Sequence, residues 1–203
     1  MPVARTPETV HLWGGSLCLD YANSVDWSSQ DAHADPEDTD VLRTPEMLTD
    51  WGRRVELLGD DARPASAAEL DRARELRDSV HRLYASIGRG EKPSQDDVDV
   101  LMGSYTEAVE RASLVEADDA YELDWLAWDP RRLRYAVAAD AVGLLRDAER
   151  LKRVRRCPGR NCGWLFLDTS GRRRWCSMST CGSREKMRRL HRRRAGGGGQ
   201  PLS

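Results

Sequence analysis

Long apolar runs are missing from this sequence, and so is any signature of secretion. No stretch approaches the roughly 18 apolar residues that a transmembrane helix requires. The N-terminal segment has no apolar run behind a basic start, so we expect no signal peptide, a cytoplasmic location and no membrane partner. Cysteine is scarce, with five residues in 203. In a reducing compartment, clustered cysteines are more often metal ligands than disulfides.

A catalytic constellation is missing as well. His11, His33 and His81 are scattered, and we interpret His81 as a surface or core histidine. Cys18 has no basic neighbour that would lower the pKa of its thiol, which is typical of a small buried residue. The pair Gly14–Gly15 lacks the rest of a glycine-rich phosphate loop. We therefore predict that the protein is not an enzyme; catalysis within the helical part is the alternative.

The net charge of −2 conceals two oppositely charged parts. Between Leu151 and Arg194, 15 Lys and Arg stand against two acids, Asp168 and Glu185, a formal charge of +13. The remaining 17 bases and 32 acids give −15. This asymmetry predicts an end that binds a polyanion, and the acidic part is also able to shield that end by contact. We divide the chain into an acidic body (1–150), a basic module (151–195) and a flexible tail (196–203).

The acidic body is predicted to be mainly helical, because caps and apolar periodicity recur along it. Most of its helices begin with a Ser or Thr cap, and apolar residues then follow at three- and four-residue steps. A short hairpin near Asp118–Asp119 and an exposed acidic loop over 26–40 are also predicted. The predicted helices run from Thr44 and Pro45 to Gly59, from Ser66 with Glu69 in capping-box spacing to Gly88, from Ser94 with Asp97, and from Asp129–Pro130.

Two polar residues, Asp20 and Asn23, lie inside the otherwise apolar segment GGSLCLDYANS. One interpretation is a cap or a pair of buried hydrogen bonds, since buried polar groups need partners. The other is a pocket for an unknown small ligand, formed by this segment and neighbouring helices. The residues by themselves do not decide between the two.

The basic module holds four of the five cysteines, in the pattern C-x4-C-x13-C-x4-C. Zn²⁺ accepts four thiolates tetrahedrally at ~2.3 Å, and each short pair lets two sulfurs reach one ion. Four protein ligands leave no open position for water, so we predict one structural zinc; two disulfides or free thiols are the alternative. The predicted ligands are Cys157, Cys162, Cys176 and Cys181.

The spacer between the two cysteine pairs predicts a β-hairpin. Its strands are GWLFLD and RRRWC, joined by a turn at 169–171. A helix follows from the second pair through Met187 to about Arg194, with Met187 and Leu190 expected to face the zinc. A core this small is not stable by hydrophobic burial alone, and zinc binding is expected to supply the difference.

The arginines of the module form a candidate nucleic-acid surface. Guanidinium groups suit phosphate oxygens and guanine edges. Arg184, Arg188 and Arg192 recur at four-residue steps and are the candidates for reading bases. The alternative is a basic face that is only solvated or that pairs with the acidic body. The predicted contact residues are Arg172, Arg173, Arg174, Arg184, Lys186, Arg188, Arg189, Arg192 and Arg193.

The module resembles the CGNR zinc finger, a C-terminal module that follows a helical domain called ABATE. The matching residues are the four cysteines, Leu165, Phe166, Asp168 and Ser170, the run RRWCSM, and Cys181, Gly182, Arg184 and Lys186. The segment GGSLCLDYANSVD is similar to the opening of the ABATE domain. Ser183 replaces the asparagine that gives the finger its name, and the turn TSGR lacks the family's Arg-Asn-x-Ser stretch, which makes the hairpin shorter. Both departures alter the contact surface and neither removes a ligand.

The resemblance implies a regulator of bacterial transcription, induced by stress, that binds DNA through the finger. We expect a mainly α fold: a helical body with a small β-hairpin, and a treble-clef-like module of hairpin, zinc and helix. The body is expected to sense a ligand. RNA binding, or an adaptor that binds an acidic protein through the basic module, is the alternative function. The operator and the oligomeric state are not specified by the sequence.

Overall fold

The computed structural model describes residues 5–27, 39–160 and 162–196. Most of the predicted acidic loop and of the predicted tail therefore lies outside the described residues. The helices are α1 (Leu17–Ala22), α2 (Pro45–Arg54), α3 (Ala67–Gly88), α4 (Gln95–Glu110), α5 (Arg131–Arg146), α6 (Ala148–Leu151) and α7 (Ser183–Gly196), which a π-helical turn (Met178–Gly182) precedes. The strands are β1 (Ser113–Ala117), β2 (Ala120–Asp124), β3 (Val154–Arg156) and β4 (Leu165–Leu167). The predicted mainly α class is confirmed, and no helix in the described ranges is long and apolar enough to span a bilayer.

The predicted caps start the helices of the body. The hydroxyls of Thr44, Ser66 and Ser94 each accept the backbone N–H three residues later. The predicted stop at Gly88 is also correct, whereas α2 ends at Arg54 and not at Gly59. Its early end follows from Glu56, whose φ of 61° is left-handed and incompatible with a continuing right-handed helix.

The carboxylate of Glu69 forms an ion pair in the core and does not complete the predicted capping box. Glu69 accepts two hydrogen bonds from the guanidinium of Arg134, at 2.7 and 3.1 Å. Arg134 is only 2% exposed and also pairs with Glu107 at 2.9 Å. A buried guanidinium needs opposite charge and full hydrogen bonding, and this need draws the carboxylate away from the helix start.

The core of the body forms where α1 packs between α3 and α5. Cys18, Leu19 and Tyr21 of α1 are completely buried. The hydroxyl of Tyr21 donates to the carbonyl of Ala73, and that of Tyr84 donates to the carbonyl of Ala141. Both buried tyrosines thus keep a hydrogen-bond partner, as burial of a hydroxyl requires.

The β1–β2 hairpin turns at Asp118 as predicted, and it packs on a second, smaller cluster. Asp118 has a φ of 51°, the left-handed conformation of a tight turn. The cluster consists of Ala108, Trp125, Tyr135 and Ala136. The Trp125 indole N–H donates to the Ala108 carbonyl, which ties the chain after β2 to α4.

The hairpin of the basic module differs from the predicted one. The strand that pairs with β4 is β3, which precedes the first cysteine pair, and the two strands are antiparallel. The predicted second strand is irregular, because the carboxylate of Asp168 accepts the N–H of Arg173 and the hydroxyl of Ser170. The chain curls around this carboxylate and does not extend along β4.

The basic module and the acidic body share one hydrophobic core. Leu165, Phe166 and Leu167 of β4 are buried in the same cluster as Leu19 and Leu83 of the body. The body therefore supplies part of the apolar surface that covers β4, in addition to the stabilisation expected from zinc. The boundary at residue 150 stays a prediction.

Candidate metal centre and basic surface

The structure brings the four predicted cysteine ligands together. Their Sγ atoms all lie within 4.8 Å of one another. Cys176 Sγ is 3.8 Å from Cys162 Sγ and 3.6 Å from Cys181 Sγ. Four thiolates at ~2.3 Å around a tetrahedral zinc have S–S separations of about 3.8 Å, so the cluster has the size of a ZnS₄ site. None of the cysteines forms a disulfide.

Backbone geometry holds the sulfurs in place. The first pair closes the β3–β4 hairpin, where the Cys157 N–H donates to the Trp164 carbonyl and the Cys162 N–H to the Gly159 carbonyl. In the second pair, Cys181 lies in the π-helical turn that leads into α7, and Cys176 lies just before that turn. Gly159 is required here, because a Cβ at this position would lie 2.9 Å from Cys181 Sγ.

The electrostatics of the cluster favour a cation. Hydrogen bonds from the thiols of Cys162 and Cys176 lower the pKa of Cys157 to about 2. Hydrogen bonding with Cys157 and Cys162, followed by burial, raises the pKa of Cys176. Four adjacent sulfurs therefore cannot all be thiolates unless a positive charge lies between them. A divalent ion with a preference for thiolates supplies that charge, and the cluster fits one structural zinc.

Cys18 is not part of this centre. It is completely buried in α1, and its Sγ lies 3.9 Å from Ser16 Oγ. Burial, followed by the charge of Asp140, raises the pKa of its thiol well above the ordinary value. The prediction of an inert buried cysteine agrees with these contacts.

Asp20 and Asn23 both form hydrogen bonds with backbone groups. Asn23 is completely buried; its amide nitrogen donates to the Leu165 carbonyl at 2.8 Å, and its amide oxygen accepts the Leu165 N–H at 2.9 Å. Asp20 accepts the Gly14 N–H at 2.6 Å. These contacts match the first interpretation, buried hydrogen bonds, and neither side chain supports the ligand pocket, which stays a prediction.

A second contact between body and module involves His81, which is buried, as one of the two sequence interpretations expects. Its Nε2 lies 2.8 Å from the Gly163 carbonyl, so Nε2 carries the proton and donates it. The ring stacks on Trp27 with 3.7 Å between centroids. Burial lowers the pKa of His81 to about 4, which keeps the ring neutral at physiological pH. No sequence motif marks this residue, since both partners are distant along the chain.

Most of the predicted basic contact residues lie on the surface of the module. Arg173 is the exception: its guanidinium donates to the carbonyls of Trp13 and Cys176 and lies over the ring of Phe166. These contacts fasten the module to the body. Glu185 pairs with Arg188 at 3.8 Å and with Arg192 at 3.0 Å, so the predicted base-reading row is partly neutralised. Among the predicted contact residues, those that are exposed and have no ion pair in the described chain are Arg172, Arg174, Arg184, Lys186, Arg189 and Arg193.

Two concave surfaces lie among these arginines, with Arg174 lining both. The arginine cleft, about 370 Å³, is lined by Arg155, Arg156 and Arg172 among others. Sequence reasoning missed Arg155 and Arg156, although they belong to the basic run KRVRR. The larger α7 groove, about 730 Å³, is lined by Arg174, Trp175, Met178, Gly182, Glu185, Lys186, Met187, Arg189, Leu190, Arg192 and Arg193.

Contrary to the prediction, the apolar residues of α7 do not face the zinc centre. Met187 and Leu190 are exposed and line the α7 groove. The body already covers β4 with its own apolar residues, so α7 is not needed as the lid of the module core. Its apolar side remains at the surface between arginines.

Two family models match the sequence. The ABATE model, described as "Putative stress-induced transcription regulator", matches residues 15–148. The CGNR zinc finger model matches residues 153–194, which include all four clustered cysteines. No curated protein matches the sequence. Because the ABATE model covers more than half of the chain, this protein belongs to the ABATE family and carries a CGNR zinc finger at its basic end.

Proposed function

We propose that this protein regulates transcription by binding DNA through the basic module. The observation that carries the proposal is the set of exposed, unpaired arginines around a rigid metal centre. A rigid support reduces the entropy that is lost when side chains are ordered on a ligand. Guanidinium groups match phosphate oxygens in geometry and charge.

Phosphate contacts are expected to dominate the affinity. Arg172 and Arg174 lie beside the arginine cleft, while Arg184, Arg189 and Arg193 project from α7. If about five such residues each neutralise a phosphate, log K falls with log salt at a slope of about −4.5. Affinity then drops about five-hundredfold between about 50 and 200 mM salt. The helical body, in this proposal, receives a signal and passes it to the module through the contacts on β4.

The test uses the full zinc-loaded chain with a fluorescent DNA duplex and a structured RNA at matched salt. We expect the duplex to bind more tightly and to show the steep salt slope. The double variant R174Q/R189Q is expected to weaken binding to all sequences and to reduce the slope by about two. R146Q is the matched control, since Arg146 is exposed on α5 in the acidic body.

Three results would contradict the proposal. Tighter binding to RNA at matched salt would move the function to RNA. Equal losses from R146Q and R174Q/R189Q would show that binding is not located on the module. Absence of binding to either nucleic acid at about 50 mM salt would refute nucleic-acid binding altogether.

A further inference from the structure

The β1–β2 hairpin carries large apolar side chains that nothing in the described chain covers. Leu114 is 70% exposed and Tyr121 is 69% exposed. Leu114 lies opposite Leu123, and Glu116 lies opposite Tyr121, so Leu114 and Tyr121 project from the same face. Two adjacent large apolar residues on one face of an isolated hairpin are typical of an interaction surface.

The hairpin is also strongly acidic. Its twelve residues from 113 to 124 contain five acids and no base. Asp124 pairs with Arg132 at 2.7 Å. The other four acids form no ion pair with any described residue. These four are Glu116, Asp118, Asp119 and Glu122.

The α7 groove has the opposite character. Its apolar surface includes Met178, which is 69% exposed, and Met187, which is 51% exposed. Thioether and aliphatic groups pack well against apolar and aromatic side chains but make no favourable contact with phosphate. Four cations around the groove lack an ion pair in the described ranges: Arg174, Lys186, Arg189 and Arg193.

The hairpin and the groove are thus complementary: both expose apolar side chains, and their charges are opposite in sign. Each combines exposed apolar groups with four unpaired charges, and the signs are opposite. In a single copy the hairpin side chains are exposed and the groove is open, so the two surfaces do not occupy each other. The partner that carries the matching surface, and that is present at equal concentration, is a second copy of this chain.

We infer that the acidic hairpin of one copy docks in the α7 groove of a second copy. Tyr121 and Leu114 would contact the methionines of the groove. The carboxylates of Glu116, on the same face, and of Asp118 and Asp119, at the turn, would face its arginines and lysine. The inference does not depend on nucleic-acid binding. If the proposed function also holds, the docked hairpin and nucleic acid compete for Arg174, Lys186, Arg189 and Arg193, and self-association reduces nucleic-acid binding.

Charge reversal provides a sharp test, measured by sedimentation velocity of the zinc-loaded chain at roughly 1 to 100 μM. We expect wild-type association to weaken between about 0.05 and 0.5 M salt, because added salt shortens the screening length. E116K/D119K and R189E/R193E should each lower the association constant at least about tenfold. A mixture of the two variants should recover association, since each reversed surface meets a complementary one.

An apolar substitution provides an independent measurement. Tyr121→Ser is expected to weaken association by about tenfold. Leu126→Ser is the matched control, because Leu126 is also largely exposed but lies outside the hairpin, and it should leave association unchanged. Circular dichroism and zinc content of every variant should equal those of wild type, since all substituted side chains are exposed.

Several results would overturn the inference. The inference is refuted if the wild-type chain stays monomeric at both salt concentrations. It is also refuted if the charge reversals leave association unchanged, or if a mixture of the two variants fails to associate. A monomer whose R189E/R193E variant loses only nucleic-acid affinity would assign the groove to nucleic acid; it would leave the proposed function intact and refute self-docking.

Discussion

Removal of the Asn23 side chain is expected to uncouple β4 from the body. Leu165 lies opposite Arg156 in the β3–β4 hairpin, and the neighbouring hydrogen bonds run from Cys157 to Trp164 and from Asp168 to Arg153. Leu165 is thus at a position whose N–H and carbonyl point away from β3. Asn23 is the partner of both groups.

The magnitude follows from the two groups that Asn23→Ala would leave unpaired. Leu165 is completely buried, so its N–H and carbonyl cannot be solvated without local opening. An unsatisfied buried polar group costs about 1–3 kcal/mol, which gives a total loss of about 2–6 kcal/mol. Since whole domains unfold with about 5–15 kcal/mol, the effect should be large.

The assay is equilibrium unfolding in guanidinium chloride at a fixed free zinc concentration, followed by tryptophan fluorescence. Because body and module share one core, a single transition is expected for wild type. Gln95→Ala is the control, since the Gln95 side chain is exposed and its one partner among the described residues is Asp99; its effect should stay within about 0.5 kcal/mol. If Asn23→Ala also stays within about 0.5 kcal/mol of wild type, the reasoning that Asn23 is the anchor of β4 is refuted.

Further changes test the metal, a charge and a packing contact. Cys176→Ser should lose zinc by elemental analysis and expose the module to protease, and retention of stoichiometric zinc would exclude Cys176 as a ligand. Burial raises the pKa of Asp20 to about 6, above the ~3.9 of an unfolded chain, so this group stabilises the fold increasingly as pH falls from about 6 to 4. Asp20→Asn should remove this pH dependence of the unfolding free energy. An unchanged pH dependence would show that another group causes it. A Cβ at Gly163 would lie 2.3 Å from Trp27 Cβ, so Gly163→Ala should destabilise by about 1–3 kcal/mol in thermal unfolding. Gly103→Ala, in open space on α4, should stabilise by up to about 1 kcal/mol, and equal effects of the two substitutions would contradict the packing contact.

The sequence by itself determined the features that depend on neighbours along the chain. Ser66 and Ser94 begin helices because a hydroxyl caps an N–H three residues away, whatever the rest of the fold does. Asp118 turns a hairpin for a similarly local reason. The cysteine spacing predicted one zinc centre because short pairs restrict where two sulfurs can lie. The division into acidic and basic parts is likewise a property of composition.

Only the tertiary structure decided which distant groups meet. Asn23 and Leu165 are 142 residues apart, and an amide in an apolar segment is equally compatible with a cap, a pocket or an anchor until its partner is placed. The same holds for Glu69, whose spacing predicted a capping box but whose carboxylate pairs with Arg134. Buried polar groups bond to whichever complementary group the packed chain brings within reach. Local patterns specify what a residue can bond to, and long-range packing selects the partner.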